Sequence, residues 1–234
     1  MRKECATENK KENLLKKPIK IAAISGILIF ALVIVNYIIL SILNKVDIQI
    51  LSTIYSLIYN ILLLASIVAF NYGFFLLGKK YNSSFLRIIS VIIIFFIIFI
   101  VIFSATFASS KIKDINSIVL EKATSLGINP AEGMTQEQQQ ALGQELLQDK
   151  EFLSFALLIV VLLAIYALIF SILSVLLGVG LIKLKDKAEY AKTAGILEIV
   201  GGATALIVVG FLIIFIAKIF EIIILFNESK KLEK

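Results

Sequence analysis

The chain has no histidine, no tryptophan and a single cysteine, Cys5. A disulfide within the chain is therefore impossible, and metal sites built on histidine or on paired cysteines are excluded. An intramembrane metalloprotease motif fails for the same reason. No Gly-x-Ser-x-Gly elbow and no phosphate-binding glycine loop occurs, and the apolar runs hold no aspartate for an aspartyl protease. The sequence reads as a non-enzyme without a cofactor.

Charge is also scarce. Of 234 residues only 17% are charged and 59% are hydrophobic, and the apolar residues come in runs. That composition marks a polytopic membrane protein. A transmembrane β-barrel would alternate apolar and polar residues, which these runs do not. With ~20 apolar residues per helical span, the runs predict an all-α transmembrane bundle of about five spans. The net charge of +6 sits at segment ends, where it reads as an orientation signal and not as a nucleic-acid surface.

Residues 1–18 form a polar, basic leader, expected to be solvated in the cytoplasm and attracted to anionic lipid. Spans one to three lie within 19–108. In the first, Asn36 is expected to hydrogen-bond a neighbouring helix, because an unpaired amide in hydrocarbon is costly. A turn at 44–47 leads to the second, where Tyr55 and Tyr59 read as an interfacial anchor beside one buried amide, Asn60. The third, with VIIIFFIIFIVIF at 91–103, has no small residue to admit another backbone and reads as lipid-facing.

The segment 109–151 is the sizeable aqueous stretch, with four basic and seven acidic residues. Two short helices are expected here, lying on the membrane or on the spans. Asn129-Pro130 offers a start signal, and Thr135 with Gln138 a capping box. Spans four and five fill 152–226, with a polar tail at 227–234. Ser171 and Ser174 are candidates for a polar path, although serine in membrane helices often bonds its own backbone.

The stretch Ala194–Phe226 organises the rest. As one helix its 33 residues would reach ~50 Å, against a hydrocarbon core of ~30 Å. One long tilted helix is the preferred reading, with nineteen uncharged residues between Glu198 and Lys218 and Lys218 pairing with Glu221. The alternative is a break near Val209-Gly210 into two re-entrant halves. Ala194, Gly195, Gly201, Gly202 and Ala205 make a small-residue seam where a neighbouring backbone can approach. Glu198 on that seam is expected either to reach Lys183, Lys187 or Lys192, or to be buried and carry protons or cations.

Counting Lys and Arg with the N-terminus inside places 7, 3 and 4 in cytoplasmic segments and 1 and 4 outside, a positive-inside pattern. With five spans the basic tail becomes an exception. NYGFFLLGKK at 71–80 and GVGLIKLKDK at 178–187 share Gly73/Gly180, Leu77/Leu184 and Lys80/Lys187, which suggests parallel repeats of spans two–three and four–five. Ala194-Gly195-Ile196-Leu197, Gly201-Gly202 and Val209-Gly210-Phe211-Leu212-Ile213 resemble the C-terminal helix of archaeal and bacterial multi-span membrane protein families. The resemblance implies a membrane fold and no activity. Two roles stay open: a structural or accessory bundle in the cell membrane, or a small channel or transporter using Glu198.

Overall fold

The computed structural model describes residues 2–43, 49–129, 134–205 and 207–232, with side chains left undescribed at 1–14, 40, 42–54, 108–113, 130–133, 206 and 208 as well. The readings placed on Cys5, on the leader's side chains before Leu15, on the turn at 44–47 and on Pro130 lie outside the described residues.

Among the described residues the chain is helical without a strand: α1 (Arg2–Leu43), α2 (Gln49–Lys80), α3 (Ser84–Ser125), α4 (Gln136–Gln148), α5 (Lys150–Ile182), α6 (Ala191–Ala203) and α7 (Val208–Lys231). Five stretches of the described residues are long and apolar enough to cross a membrane: Leu15–Ile39, Tyr55–Lys80, Ser84–Phe107, Lys150–Ile182 and Val209–Lys231. A helix satisfies its own backbone groups, which hydrocarbon cannot. The chain divides into two units, Met1–Ile98 with Ile169–Lys234, and Phe99–Leu168.

The first unit holds the main core. Phe74 and Leu77 of α2, Leu86 of α3, Leu177 and Leu181 of α5, and Ile224 and Leu225 of α7 are closed off from solvent around Ile19, Ala22 and Ala23 of α1. Close approach is set by small residues. A methyl carbon on Gly73 would fall 2.6 Å from Ala22 Cβ, and one on Gly26 2.6 Å from Ile222. Going up α1, Ala22 meets Gly73 and Gly26 meets Phe70 of α2, while Gly26 meets Ile222 and Phe30 meets Phe215 of α7, so α1 runs antiparallel to both. The third helix turns much of its membrane stretch outward, with Ile88, Val91, Phe95 and Phe99 exposed.

The preferred single helix over Ala194–Phe226 is wrong. The chain leaves the helix after Ala203 and re-enters one at Val208, so α6 and α7 form an antiparallel hairpin. Thr204 directs its hydroxyl back to Val200 O at 2.7 Å, and the turn closes with Ile207 N–H on Thr204 O at 2.9 Å. At Gly210 a side chain would strike the Thr204 carbonyl, so glycine is needed where the chain doubles back. The break falls a few residues before the expected Val209-Gly210. Ala205, placed on the seam of one helix, sits in this turn and is buried.

The turn also moves the tail. Asn227 reaches Glu189 at 3.3 Å, and Lys80 meets Glu228 at 2.8 Å. Lys230 and Lys231 therefore lie at the same end as the connectors 81–83 and 183–190, and the exception counted in the sequence disappears. The suggested repeat fares worse. Its first pair has helices of 32 and 42 residues and its second pair has 33 and 13; Gly73 faces α1 and α7, whereas Gly180 faces Leu86 of α3.

In the second unit, the first of the two expected short helices is the continuation of α3, which runs unbroken to Ser125. The second is α4, and its capping box is present: Gln138 N–H bonds Thr135 Oγ1 at 3.3 Å, and Thr135 N–H bonds Gln138 Oε1 at 2.9 Å. Ala123, Ile128 and Leu142 make a small satellite core. Asp149 separates α4 from α5, its carboxylate accepting from the N–H groups of Glu151 and Phe152 at 2.9 and 3.0 Å. Those bonds, that to Phe152 first, hold its carboxyl below the usual range.

Candidate functional site

The polar groups singled out on α5, α6 and α7 converge. Glu198 and Lys218 are twenty residues apart, which in one helix would be ~30 Å; the hairpin brings Lys218 Nζ to 2.8 Å from Glu198 Oε1. The same ammonium lies 2.9 Å from Glu221 Oε2. Both glutamates are fully buried and Lys218 is 28% exposed. The partner of Glu198 is thus Lys218, not the expected Lys183, Lys187 or Lys192. Ser174 donates to the Glu198 carboxylate and lies 3.2 Å from its backbone oxygen. Ser171 donates to Gly202 O. Both serines reach across to α6 rather than back along α5.

The glycines explain why these groups meet. Gly178 and Gly195 face each other so closely that a methyl carbon on either would fall 2.5–2.6 Å from the other's carbonyl oxygen. Gly202 faces Ser171 and Ser174, while Gly201 faces Ile214 and Gly210 of α7. So α6 carries two small-residue faces, one per neighbour, with Ala194 buried between. In apolar surroundings an ion pair is stable only with good geometry and supporting bonds. Here one ammonium serves two carboxylates, and Glu221 Oε1 has no hydrogen-bond partner.

Two other singled-out residues lie apart from this cluster. Asn36 accepts from Tyr55 on α2 at 3.2 Å. Asn60, expected as a buried amide, is exposed and donates to Ser56 one turn back at 3.3 Å. In hydrocarbon a local partner on its own helix meets part of its need without a neighbouring span.

Two features went unseen in the sequence. One is the buried Glu228 at the basic end, held by Lys80 at 2.8 Å, by Lys231 at 2.6 Å and by the Tyr81 hydroxyl. Burial first, then the bond to Glu228, pushes the Tyr81 phenol above its ordinary range. The acid's place before Lys230-Lys231 was the available signal, but its partner lies 148 residues away. The other is a cavity of about 440 Å³ bounded by α1, α2, α3, α5, α6 and α7, with Ser174, Glu198 and Lys218 at its wall.

Among the described residues no group of histidine, cysteine, aspartate or glutamate side chains is arranged to hold a metal ion. No protein-family model, no curated protein and no solved structure matches this chain.

Proposed function

We propose that this integral membrane protein is a structural or accessory helical bundle of the cell membrane, neither enzyme nor channel, with its N-terminus in the cytoplasm. The observation that carries the reading is the pairing of Glu198 with Ser174 and Lys218, of Lys218 with Glu221, and of Ser171 with Gly202 O across α5, α6 and α7. Polar side chains engaged with each other hold helices together in lipid. The gathering of the basic connectors and Lys230-Lys231 at one end supports a cytoplasmic face there, with anionic lipid headgroups as its natural contact. The lipid bilayer is the partner this reading requires, and nucleic acid has no part in it.

A second reading, a small channel or transporter built on Glu198, is favoured by the place of Glu198 and Lys218 at the cavity wall. Replacing Glu198 with Gln separates the two. The structural role expects lower thermal stability with no change in ion flux across reconstituted vesicles. Altered flux at unchanged stability rejects it. Tag accessibility at the C-terminus tests the orientation; an outside location overturns it.

A further inference from the structure

The cavity is not a featureless gap. Six phenylalanines line it, Phe30, Phe70, Phe96, Phe170, Phe211 and Phe215, drawn from α1, α2, α3, α5 and α7. Phe30 and Phe215 meet edge to face, with ring centres 4.7 Å apart. Its volume of about 440 Å³ falls in the range of small-molecule sites, which are mostly apolar with a few fixed polar groups. Aromatic walls favour a flat ring, stacked or edge-on.

Lys218 sets the polar requirement. An ammonium has three N–H donors, and Lys218 contacts two carboxylate oxygens, so at least one donor remains. Lys218 and Glu198 both line the cavity, but the lysine side chain is 28% exposed and the glutamate's is fully buried behind it; Glu221 is absent from the lining. A guest's polar atom therefore meets the ammonium first, which disfavours a cation. An anion is disfavoured because the carboxyl groups of Glu198 and Glu221 already hold the ammonium at 2.8 and 2.9 Å. What satisfies both is a neutral acceptor.

We propose that the cavity is a binding site for an apolar, ring-bearing molecule with a neutral carbonyl oxygen, the ring among the phenylalanines and the oxygen accepting from Lys218 Nζ. The chemistry is shared by a free lipophilic quinone and, more weakly for want of a ring, by the ester of a bilayer lipid entering from the side. Binding here goes beyond the accessory role and does not depend on it.

The absence of tryptophan makes the test direct. Phe170→Trp places a single reporter in the cavity wall, and Phe95→Trp, on the outward face of α3, reports partitioning into the bilayer. The protein is reconstituted in nanodiscs of ether-linked lipid and titrated with 2-methyl-1,4-naphthoquinone. Saturable quenching is expected at position 170 and linear quenching at position 95. 2-Methylnaphthalene, measured by displacement, is expected to bind at least about ten-fold more weakly, since it lacks the oxygen. The triple change Lys218→Met, Glu198→Gln, Glu221→Gln, which removes all three charges together, is expected to erase that difference while leaving hydrophobic binding. Equal affinity for the two molecules, or linear quenching at both positions, overturns the proposal; this comparison leaves the charged cluster untouched and stands even if the triple variant does not fold. Nanodiscs of ester lipid separate the sources: weaker quinone binding there identifies the lipid ester as a competing occupant, and unchanged binding assigns the site to the free ring compound.

Discussion

Around Gly195, in the α5–α6 contact, an added methyl carbon would sit 2.6 Å from the Gly178 carbonyl oxygen; around Gly143, in α4, it would meet nothing within 4 Å. The same residue serves opposite ends in the two units. In the unit formed by 1–98 and 169–234, glycine lets backbones touch, and hydrogen bonds and ion pairs follow from that approach. In the unit 99–168, contacts are made by rings such as Phe103 on Tyr166 and Phe107 on Phe155, with centres 6.4 and 6.2 Å apart. There Gly143 merely loosens its helix. A seam of small residues cannot absorb an added side chain, whereas a looser aromatic face can.

Gly195→Leu is the most severe way to break the comparison. The new side chain meets two backbone atoms of α5, Gly178 O and Ile182 N, so the cost should exceed the ~1–3 kcal/mol typical of overpacking, and loss of a monodisperse peak in size-exclusion chromatography checks it. Next comes Lys218→Met, which leaves two buried carboxylates without a counter-charge. Removing one partner of a buried pair costs ~3–5 kcal/mol, and thermal unfolding should show most of that recovered when Glu198→Gln and Glu221→Gln are added.

Gly143→Ala carries the comparison into the other unit and reverses its sign. With open space around it and a helical backbone, alanine should stabilise α4 by up to ~1 kcal/mol, read as slower amide exchange across Gln136–Gln148. The smallest effect concerns Asp149. Its carboxyl titrates below the ordinary 3.8, so its help to the start of α5 is complete above that value. It is lost as pH falls through the lower folded-state value. Amide exchange at Glu151 and Phe152 should quicken over that acidic range in the native chain and be insensitive to it in Asp149→Asn.

Helix existence was readable because apolar runs bounded by lysines leave few alternatives in lipid. The five membrane stretches, the Thr135 cap and the outward face of α3 needed only local chemistry. The turn at Thr204–Ile207 did not announce itself, because nineteen uncharged residues surround it and no proline marks it. What dictates it is long-range: α5 offers Gly178 to Gly195 and Ser171 to Gly202, and Lys218 is drawn to Glu198. Asn60 misled for the converse reason, since an amide in an apolar run suggests a neighbour and here found Ser56 on its own helix. The Phe-lined cavity depends on six helices at once, so no window of sequence contains it.

The grip of Lys80 and Tyr81 on Glu228 bears on how the molecule is built. Synthesis delivers α1 and α2 long before α7, yet Gly26 and Gly73 are shaped for Ile222 and Leu225. Until the final helix emerges, the groove between the first two must stand filled by acyl chains, which are then displaced when the acid clasps the turn after α2. Maturation of this bundle should therefore occur in one late step, timed by the emergence of α7.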